Sequence, residues 1–297
     1  MSDVPTVSGV AVAPPPNGDR SRRRWLRRLL RSTPFVVGAL IVATVVVASL
    51  AAPLITPYNP VRMSAADRFQ GPSLVHPFGT DQLGRDVLAR VLHGGRMSLP
   101  MGVAPIAVAA VAGLILGLMA GYYGGLLDLV IMRIADVWIA FPPILLAMAI
   151  VTVLGTGLVN IMIALGIAWV PYYARMVRAS VLEAKERVYV DAAHALGSRD
   201  LRIVVRHVLP NVLTPIMVMS SMGVANAILA GAALSFLGLG AQAPAPEWGT
   251  SLADARQFMR LAWWIGFFPG IAIALTVLGA NLMGDGIRDA LDPKLKI

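Results

Sequence analysis

Long stretches without a charged residue alternate with short charged segments along this chain of 297 residues. A helix needs about 20 mostly apolar residues to cross the hydrocarbon core of a bilayer, because every backbone polar group must be satisfied within the segment. Five uncharged stretches have the necessary length, but one of them, residues 137–174, is too long for a single crossing. The sequence Gly155-Thr156-Gly157 divides that stretch in two. The pattern therefore predicts an all-α membrane protein with six transmembrane helices.

Glycines, prolines or charges bound each predicted span. Pro210 and Pro215 precede the fifth span and predict an irregular entrance to it. The six spans cover residues 35–55, residues 97–121, a stretch from about 129 to the Gly155 break, the stretch from that break to 174, about 212–239, and 261–284.

The composition supports a membrane protein over a soluble one. Apolar residues make up 57% of the chain and charged residues only 14%, against about 25% charged residues in soluble domains. The mean hydropathy is +0.72 and cysteine is absent, so neither a disulfide-built module nor a thiolate metal site is expected. The net charge of +9 is concentrated beside the spans, where it indicates topology, so we expect no nucleic-acid partner.

Basic residues are concentrated at two places next to predicted spans. Seven arginines lie between residues 20 and 31, and seven lysines and arginines lie between residues 175 and 206. Loops rich in lysine and arginine stay on the cytoplasmic side of a membrane. We therefore expect the 175–206 segment and both termini in the cytoplasm, and the loop 56–96 outside.

The two terminal segments are predicted to be cytoplasmic tails. Residues 1–33 are basic and proline-containing and predict a disordered tail, and residues 286–297 form the other tail. A signal peptide cleaved near Ser49-Leu50-Ala51 is an alternative for the N-terminal region. The apolar stretch is too long for that, so an uncleaved first span is favoured.

The predicted spans contain few polar groups. Carriers driven by ion gradients usually keep ionisable side chains inside their spans, and none lies deep in these. Arg133 and Asp136, three residues apart, predict an ion pair at the membrane interface. Asn226 and Asn281 lie within spans and predict hydrogen bonds between helices. A secondary carrier is therefore disfavoured.

The chain also lacks the groups that catalysis would need. The histidines lie outside the span cores, so an intramembrane hydrolase or metalloprotease has no catalytic base, and we expect no catalytic residue, metal or cofactor. No Gly-x-x-x-x-Gly-Lys-Ser/Thr sequence occurs, so the chain cannot bind and split ATP by that route. Energy for active transport must come from another polypeptide. The histidines are His76, His93, His194 and His207.

The loop of about 181–210 predicts two short helices around a sharp turn. Gly197 suits the left-handed residue after a helix end, Ser198 is expected to cap the next helix, and Asp200 lies in its first turn. Such a pair beside a membrane is a lipid-surface anchor, a structural brace or a docking element for a partner protein. The predicted apolar face of the second helix comprises Leu201, Val204, Val205 and Val208, with Arg199, Arg202 and Arg206 opposite.

This loop resembles the signature E-A-A-x3-G-x9-I-x-L-P of importer permeases of the ATP-binding cassette class. Asp191 stands where the signature has Glu, and His207 stands where it has Ile. The resemblance implies a loop that couples the permease to its ATPase. The matching residues are Asp191, Ala192, Ala193, Gly197, Leu209 and Pro210.

Three further stretches resemble the second (DppC/OppC-type) permease subunit of dipeptide, oligopeptide and nickel importers. They are residues 76–88, the Gly121-Tyr122-Tyr123-Gly124-Gly125 sequence and residues 281–293. The resemblance implies a type I importer permease core of the MetI-like kind at 97–285, with the first span and external loop at 34–96 as an addition. It implies alternating access in the bacterial cytoplasmic membrane.

The partners that the resemblance implies are separate polypeptides. They are a homologous sister permease, two cytoplasmic ATP-binding subunits and an extracytoplasmic solute-binding protein, in addition to membrane lipid. The substrate, whether dipeptide, oligopeptide, nickel or another solute, stays open because the binding protein usually selects it.

The loop 56–96 predicts a helix over 82–93 that is capped by Asp81 and closed by Gly94-Gly95. The spacing of four residues predicts the ion pairs Asp81–Arg85 and Asp86–Arg90. This helix is either a structural element at the interface or a direct contact for substrate.

Overall fold

The computed structural model describes residues 29–291, and these residues are mainly helical, with one long connection between residues 56 and 86 and no strand among them. Residues 1–28 and 292–297 of the two predicted tails lie outside the described residues, and residues 286–291 belong to the last helix. The α-helices are α1 (Thr33–Leu50), α2 (Ala52–Ile55), α3 (Val87–Ser98), α4 (Pro100–Tyr123), α5 (Gly125–Ile139), α6 (Pro143–Leu154), α7 (Leu158–Lys185), α8 (Val188–Ala195), α9 (Asp200–Ile203), α10 (Leu209–Phe236), α11 (Trp248–Ala255) and α12 (Trp264–Leu291).

The number of spans agrees with the prediction when one bent helix pair is taken as a single span. Within the described residues, five helical stretches are long and apolar enough to cross a membrane, and the pair α5–α6 makes a sixth. The third predicted span is not one continuous helix, because α5 and α6 are bent by 94°. Pro142 and Pro143 lie at the bend, where proline disfavours helical backbone in the residue before it.

The helices α4 and α7 approach each other unusually closely along most of their length. A Cβ at Gly117 of α4 would lie only 2.5 Å from Cβ of Val177 of α7. One turn further on, a Cβ at Gly121 would lie 2.8 Å from Cβ of Val181. Since glycine leaves room for the facing side chain at each turn, α4 and α7 pack as one unit.

The helical stretch that ends with α10 begins earlier than the predicted span, and the expected irregularity lies in this stretch just before α10. Helical backbone runs from Asp200 to Phe236, and the stretch Val204–Val208 within it is a π-helix. Pro210 has no N–H group to donate, which disrupts the α-helical hydrogen bonds at this point. The side-chain amide of Asn211 donates to the carbonyl of His207 at 2.6 Å and satisfies one of the acceptors there.

The bundle has two ends, each defined by the residues that lie there. The Arg85 end carries residues 56–99 and 237–263, and the Gly197 end carries the Gly197 segment, residues 186–208. The helix α4 joins the two ends. With 24 residues it is about 36 Å long, enough to cross the hydrocarbon core of about 30 Å.

At the Arg85 end, the predicted helix over 82–93 is wrong in both boundaries. The helix α3 begins at Val87, where the carboxylate of Asp86, not Asp81, accepts a hydrogen bond from the backbone N–H of Ala89 at 2.7 Å. Gly94 and Gly95 do not end the helix. They lie inside it, where the helix packs closely against other parts of the chain. A Cβ at Gly94 would lie 2.2 Å from the carbonyl oxygen of Pro246.

One of the two predicted ion pairs at this end is confirmed. The guanidinium of Arg85 lies 2.5 Å from the carboxylate of Asp81, and both side chains are buried. The other prediction, an ion pair between Asp86 and Arg90, is wrong. One oxygen of Asp86 caps α3 and the other lies 2.9 Å from Nδ1 of His76, so the side chain points away from Arg90.

The predicted pair of Arg133 with Asp136 is also wrong. The carboxylate of Asp136 in α5 instead lies 2.5 Å from the guanidinium of Arg175 in α7. A contact between two helices therefore replaces a contact within one helix. Together with the pair formed by Asp128 and Arg178, it joins α5 to α7.

The first span packs against the last. A Cβ at Gly38 of α1 would lie 2.5 Å from the carbonyl oxygen of Gly279 in α12. A Cβ at Gly279 would lie 2.8 Å from Cγ2 of Val42. Because both helices have glycine where they meet, their backbones come into close contact, and α1 is part of the bundle.

Candidate functional site

The turn at Gly197 is a rigid corner between α8 and α9. Gly197 has φ +72°, in the left-handed region that favours glycine. Its N–H donates to the carbonyl of His194 at 2.9 Å, and the N–H of Ser198 donates to the carbonyl of Ala193 at 3.1 Å. These two hydrogen bonds form a Schellman motif, which satisfies carbonyls at the end of α8.

The prediction that Ser198 caps the second helix is wrong. The cap position is Arg199, and it makes no side-chain capping hydrogen bond. Since the N–H of Ser198 belongs to the Schellman motif, this residue still lies in the turn when the next helix begins. Asp200 does lie in the first turn of that helix, as predicted, and its carboxylate accepts a hydrogen bond from the hydroxyl of Tyr122 at 2.9 Å.

The structure places the six signature residues in three different surroundings. Asp191, Ala192 and Gly197 are exposed on the Gly197 segment. Ala193 is buried among apolar residues, so it packs α8 onto the bundle. Leu209 and Pro210 belong to the start of α10, where they accompany the π-helix.

The predicted apolar face of the second helix is wrong in part. Ile203 and Val208 are fully buried, whereas Leu201 and Val205 are 74% and 54% exposed. The π-helix adds a residue to its turn, so Ile203 and Val208, five residues apart, face the same way. Leu201 and Val205 instead share a surface with the arginines that were predicted to lie opposite them.

That shared surface is a depression of about 640 Å³ beside the corner. Apolar and cationic groups alternate on it, and Leu196 on the other side of the corner is 86% exposed. Apolar residues at this exposure next to arginines are typical of a surface that another protein covers. The depression is lined by Gly197, Ser198, Arg199, Leu201, Arg202, Val205 and Arg206.

A second, larger cavity lies between α7 and α10 in the membrane-spanning part. Its volume is about 750 Å³, and among the residues that the structure describes no charged side chain lines it. Tyr173 and Ser220 join its two walls through a hydrogen bond of 3.2 Å. The residues that line it are Ile106, Pro143, Ile144, Leu165, Trp169, Tyr172, Tyr173, Met219, Met222, Gly223, Asn226, Leu229, Ala230 and Ala233.

The wall of this cavity carries polar groups that other helices do not satisfy. Asn226 is exposed, and within the described residues its amide makes no hydrogen bond, so the predicted bond to another helix is not formed there. Tyr172 and Trp169, which also carry polar groups, line the same cavity. A polar group at membrane depth is tolerated where it faces a water-filled cavity or another protein.

Sequence reasoning missed this cavity, and only a weak signal for it exists. Its aromatic residues and methionines come from α7 and α10, which are separated by the Gly197 segment along the chain. Each helix alone looks like an ordinary apolar span. The sequence shows that Asn226 is a polar group within a span, but it does not show that this residue lines a cavity.

Comparisons with known proteins agree with this architecture. The model of the family described as binding-protein-dependent transport system inner membrane component matches residues 113–297. The chain belongs to this family. A second family model, described as the N-terminal TM domain of oligopeptide transport permease C, matches residues 22–72. The protein is thus a permease, the transport subunit of its system.

Three relatives with named transport systems match nearly the whole chain. A dipeptide transport system permease protein DppC of Alkalihalophilus pseudofirmus is 46% identical over 96% of this chain and 95% of its own length. A glutathione transport system permease protein GsiD of Pectobacterium atrosepticum is 45% identical over 92% and 91%. A di/tripeptide transport system permease protein DppC of Pseudomonas aeruginosa is 44% identical over 87% and 88%.

A solved structure shows the same fold. A chain of the MetNI methionine ABC transporter, in inward-facing conformations, superimposes with a TM-score of 0.56 at 18% identity. The match covers 68% of this chain and 96% of that chain. The fold of this permease is therefore that of an ABC importer permease, as predicted, and about a third of the chain lies outside the match.

Proposed function

We propose that this permease belongs to an ATP-driven importer that carries di- or oligopeptides across the bacterial cytoplasmic membrane. The names of three relatives at 44–46% identity, which refer to dipeptide, glutathione and di/tripeptide transport, support the substrate class. In this proposal residues 97–285 are the transport core, and residues 34–96 are an addition.

The exposed corner at Gly197 carries the proposal. In the proposed orientation the Gly197 end faces the cytoplasm and the Arg85 end faces outside. The Gly197 segment then docks into a cytoplasmic ATPase subunit through Asp191, Ala192, Gly197 and the depression beside them. A corner held by two backbone hydrogen bonds transmits force, since it does not bend when the partner moves.

The position of the Gly197 segment between α7 and α10 links docking to transport. These two helices provide most of the residues that line the larger cavity, and the segment joins the end of one to the start of the other. When ATP binding closes the ATPase pair, the segment moves and the spacing of α7 and α10 changes. A partner shifts this equilibrium only by its difference in affinity for the two states, so docking must differ between them.

The chemistry of the cavity suits a peptide of variable sequence. Its lining is apolar and aromatic without charged side chains, so it neither selects nor repels a particular charged side chain. The amide of Asn226 and the hydroxyl of Tyr172 can form hydrogen bonds with peptide groups, which every peptide has. Size, not side-chain identity, then limits what passes.

In this proposal the complete transporter contains four other polypeptides besides this chain. They are a sister permease that closes the cavity from its open side, two cytoplasmic ATP-binding subunits and an extracytoplasmic solute-binding protein. Both termini of this chain are cytoplasmic in the same proposal. ATP is hydrolysed on the partner subunits.

Uptake measurements on the reconstituted transporter test the function. Proteoliposomes that hold the four membrane subunits and enclosed ATP should accumulate a labelled dipeptide when loaded binding protein is added, and a protonophore should not stop this. Accumulation that needs a proton gradient and no ATPase would instead identify a secondary carrier. ATP-dependent accumulation of Ni²⁺ without any peptide uptake would assign the substrate to the alternative within this family.

A further inference from the structure

Tyr122 of α4 contacts residues on both sides of α8 and the Gly197 corner. The last residue of α7 is Lys185, and its ammonium group donates to the backbone carbonyl of Tyr122 at 2.8 Å. The first residue of α9 is Asp200, and its carboxylate accepts from the hydroxyl of Tyr122 at 2.9 Å. These two hydrogen bonds are called the Tyr122 bridge below.

Each of the two hydrogen bonds uses a group that is available because of where Tyr122 lies. The carbonyl of Tyr122 is in the last turn of α4, where carbonyls have no partner within the helix, so it is free to accept from Lys185. The same ammonium group lies 5.4 Å from the centre of the Tyr122 ring, in range of a cation–π contact. Tyr122 is only 7% exposed, so its hydroxyl reaches Asp200 from within the bundle.

The bridge adds a mechanical connection that the chain path does not provide. Along the chain, the Gly197 segment is joined only to α7 and α10. Through Tyr122 it is also joined to α4, which itself packs closely on α7 at Gly117 and Gly121. Beyond Tyr122, in contrast, Gly124 and Gly125 have φ of +68° and +59° in open space, so the connection to α5 provides little restraint.

We propose that Tyr122 is the positioning residue that makes α4 move together with the Gly197 segment, and that the bridge sets how much transport results from each ATP hydrolysed. This inference rests on the proposed function. Without the Tyr122 hydroxyl, the α9 side of the segment can shift while α4 stays in place, so part of the motion that the ATPase imposes does not reach the cavity.

The variant Tyr122→Phe tests this, because it removes the hydroxyl and leaves the ring in place. The measurement is labelled dipeptide accumulated per ATP hydrolysed by the complete transporter in proteoliposomes. We expect ATP hydrolysis stimulated by loaded binding protein to persist, while the ratio falls at least about fivefold, the lower end of typical coupling between sites. The matched control is Tyr123→Phe at the neighbouring tyrosine, which is 65% exposed, and its ratio should stay at the wild-type value.

Asp200 provides a second, independent set of variants. Asp200→Ala should lower the ratio as Tyr122→Phe does, and the double variant should lower it no further, because both changes remove the same hydrogen bond. Asp200→Asn keeps an oxygen that accepts from Tyr122 and should retain most of the ratio. These variants also serve if Tyr122→Phe does not assemble.

The outcomes separate the bridge from the proposed function. If the wild-type transporter shows no ATP-dependent uptake, the proposed function is wrong. If wild-type uptake is normal and Tyr122→Phe keeps the wild-type ratio, or only reduces the amount of assembled transporter, the residue is structural and the inference is overturned. Additive losses in the double variant would overturn it as well.

Discussion

The guanidinium of Arg178 and the carboxylate of Asp128 are joined by two hydrogen bonds of 2.5 and 2.6 Å between α7 and α5. Such a two-point contact fixes orientation as well as distance. The connection before α5 consists of Gly124 and Gly125, which have no side chains that could hold α5 in place, so the pair adds a restraint there. The pair therefore decides how α5 lies on the rigid α4–α7 unit.

Removal of this pair should destabilise the protein measurably. We expect Asp128→Ala to lower the free energy of unfolding by about 1–3 kcal/mol, because a partly buried guanidinium loses its acceptor. Thermal unfolding of the purified permease in detergent micelles measures this. The control is Glu183→Ala, whose pair with Arg187 is mostly exposed and should contribute at most about 1 kcal/mol. Equal losses in both variants would contradict the assignment.

Substitution of Gly197 should act through the backbone alone. A Cβ at this position meets nothing within 4 Å, so the penalty comes from φ +72°, about 1–2 kcal/mol for a residue other than glycine or asparagine. Gly197→Val should abolish dipeptide uptake while its amount in the membrane stays normal. Gly197→Asn should retain uptake, because asparagine tolerates this left-handed conformation. Loss of uptake in both variants would point to side-chain contact, not backbone shape.

Asp191 should contribute to ATPase docking. Its carboxylate is exposed on α8. Asp191→Ala should weaken recovery of the ATPase subunits with the affinity-purified permease about tenfold, the effect of 1.4 kcal/mol, and Asp191→Glu should restore it. Glu186→Ala removes an exposed carboxylate from the same segment and is the control. Unchanged recovery with Asp191→Ala would exclude this role.

Asn226 should matter for transport and not for folding. Because its amide faces the cavity without a partner in the described part of the chain, Asn226→Leu should leave the unfolding temperature unchanged or raise it slightly. Dipeptide uptake should fall several-fold, since a hydrogen-bonding group for the peptide is lost, an effect of about 1 kcal/mol. Asn281→Leu changes an exposed amide on α12 that does not line the cavity, and its uptake should be normal. A large loss of stability with normal uptake would assign Asn226 to packing.

The fold could be predicted in outline because it depends on local sequence. An uncharged stretch of span length must be a helix in a bilayer, whatever surrounds it. The corner at Gly197 could be predicted for the same reason, since a left-handed residue after a helix depends on neighbouring residues only. The cap at Ser198 could not, because the next helix begins one residue later than predicted and places Arg199 at the cap position.

The errors concern contacts between residues that are distant in the chain. Asp86 contacts His76, whereas its spacing in the sequence predicts a pair with Arg90. Asp136 contacts Arg175, whereas its spacing predicts a pair with Arg133. Spacing along a helix shows which side chains can meet. It does not show which partner on another helix competes for the same carboxylate.

The sequence by itself determined the number of spans, the site of the corner and the resemblance to importer permeases, because each rests on composition or on residues close together in the chain. Only the tertiary structure decided which polar groups meet. The Tyr122 bridge joins residues 63 and 78 positions apart, and the cavity needs two helices that the Gly197 segment separates. The relative positions of such groups follow from how the glycine-lined helices pack, and no pattern along a single helix specifies that.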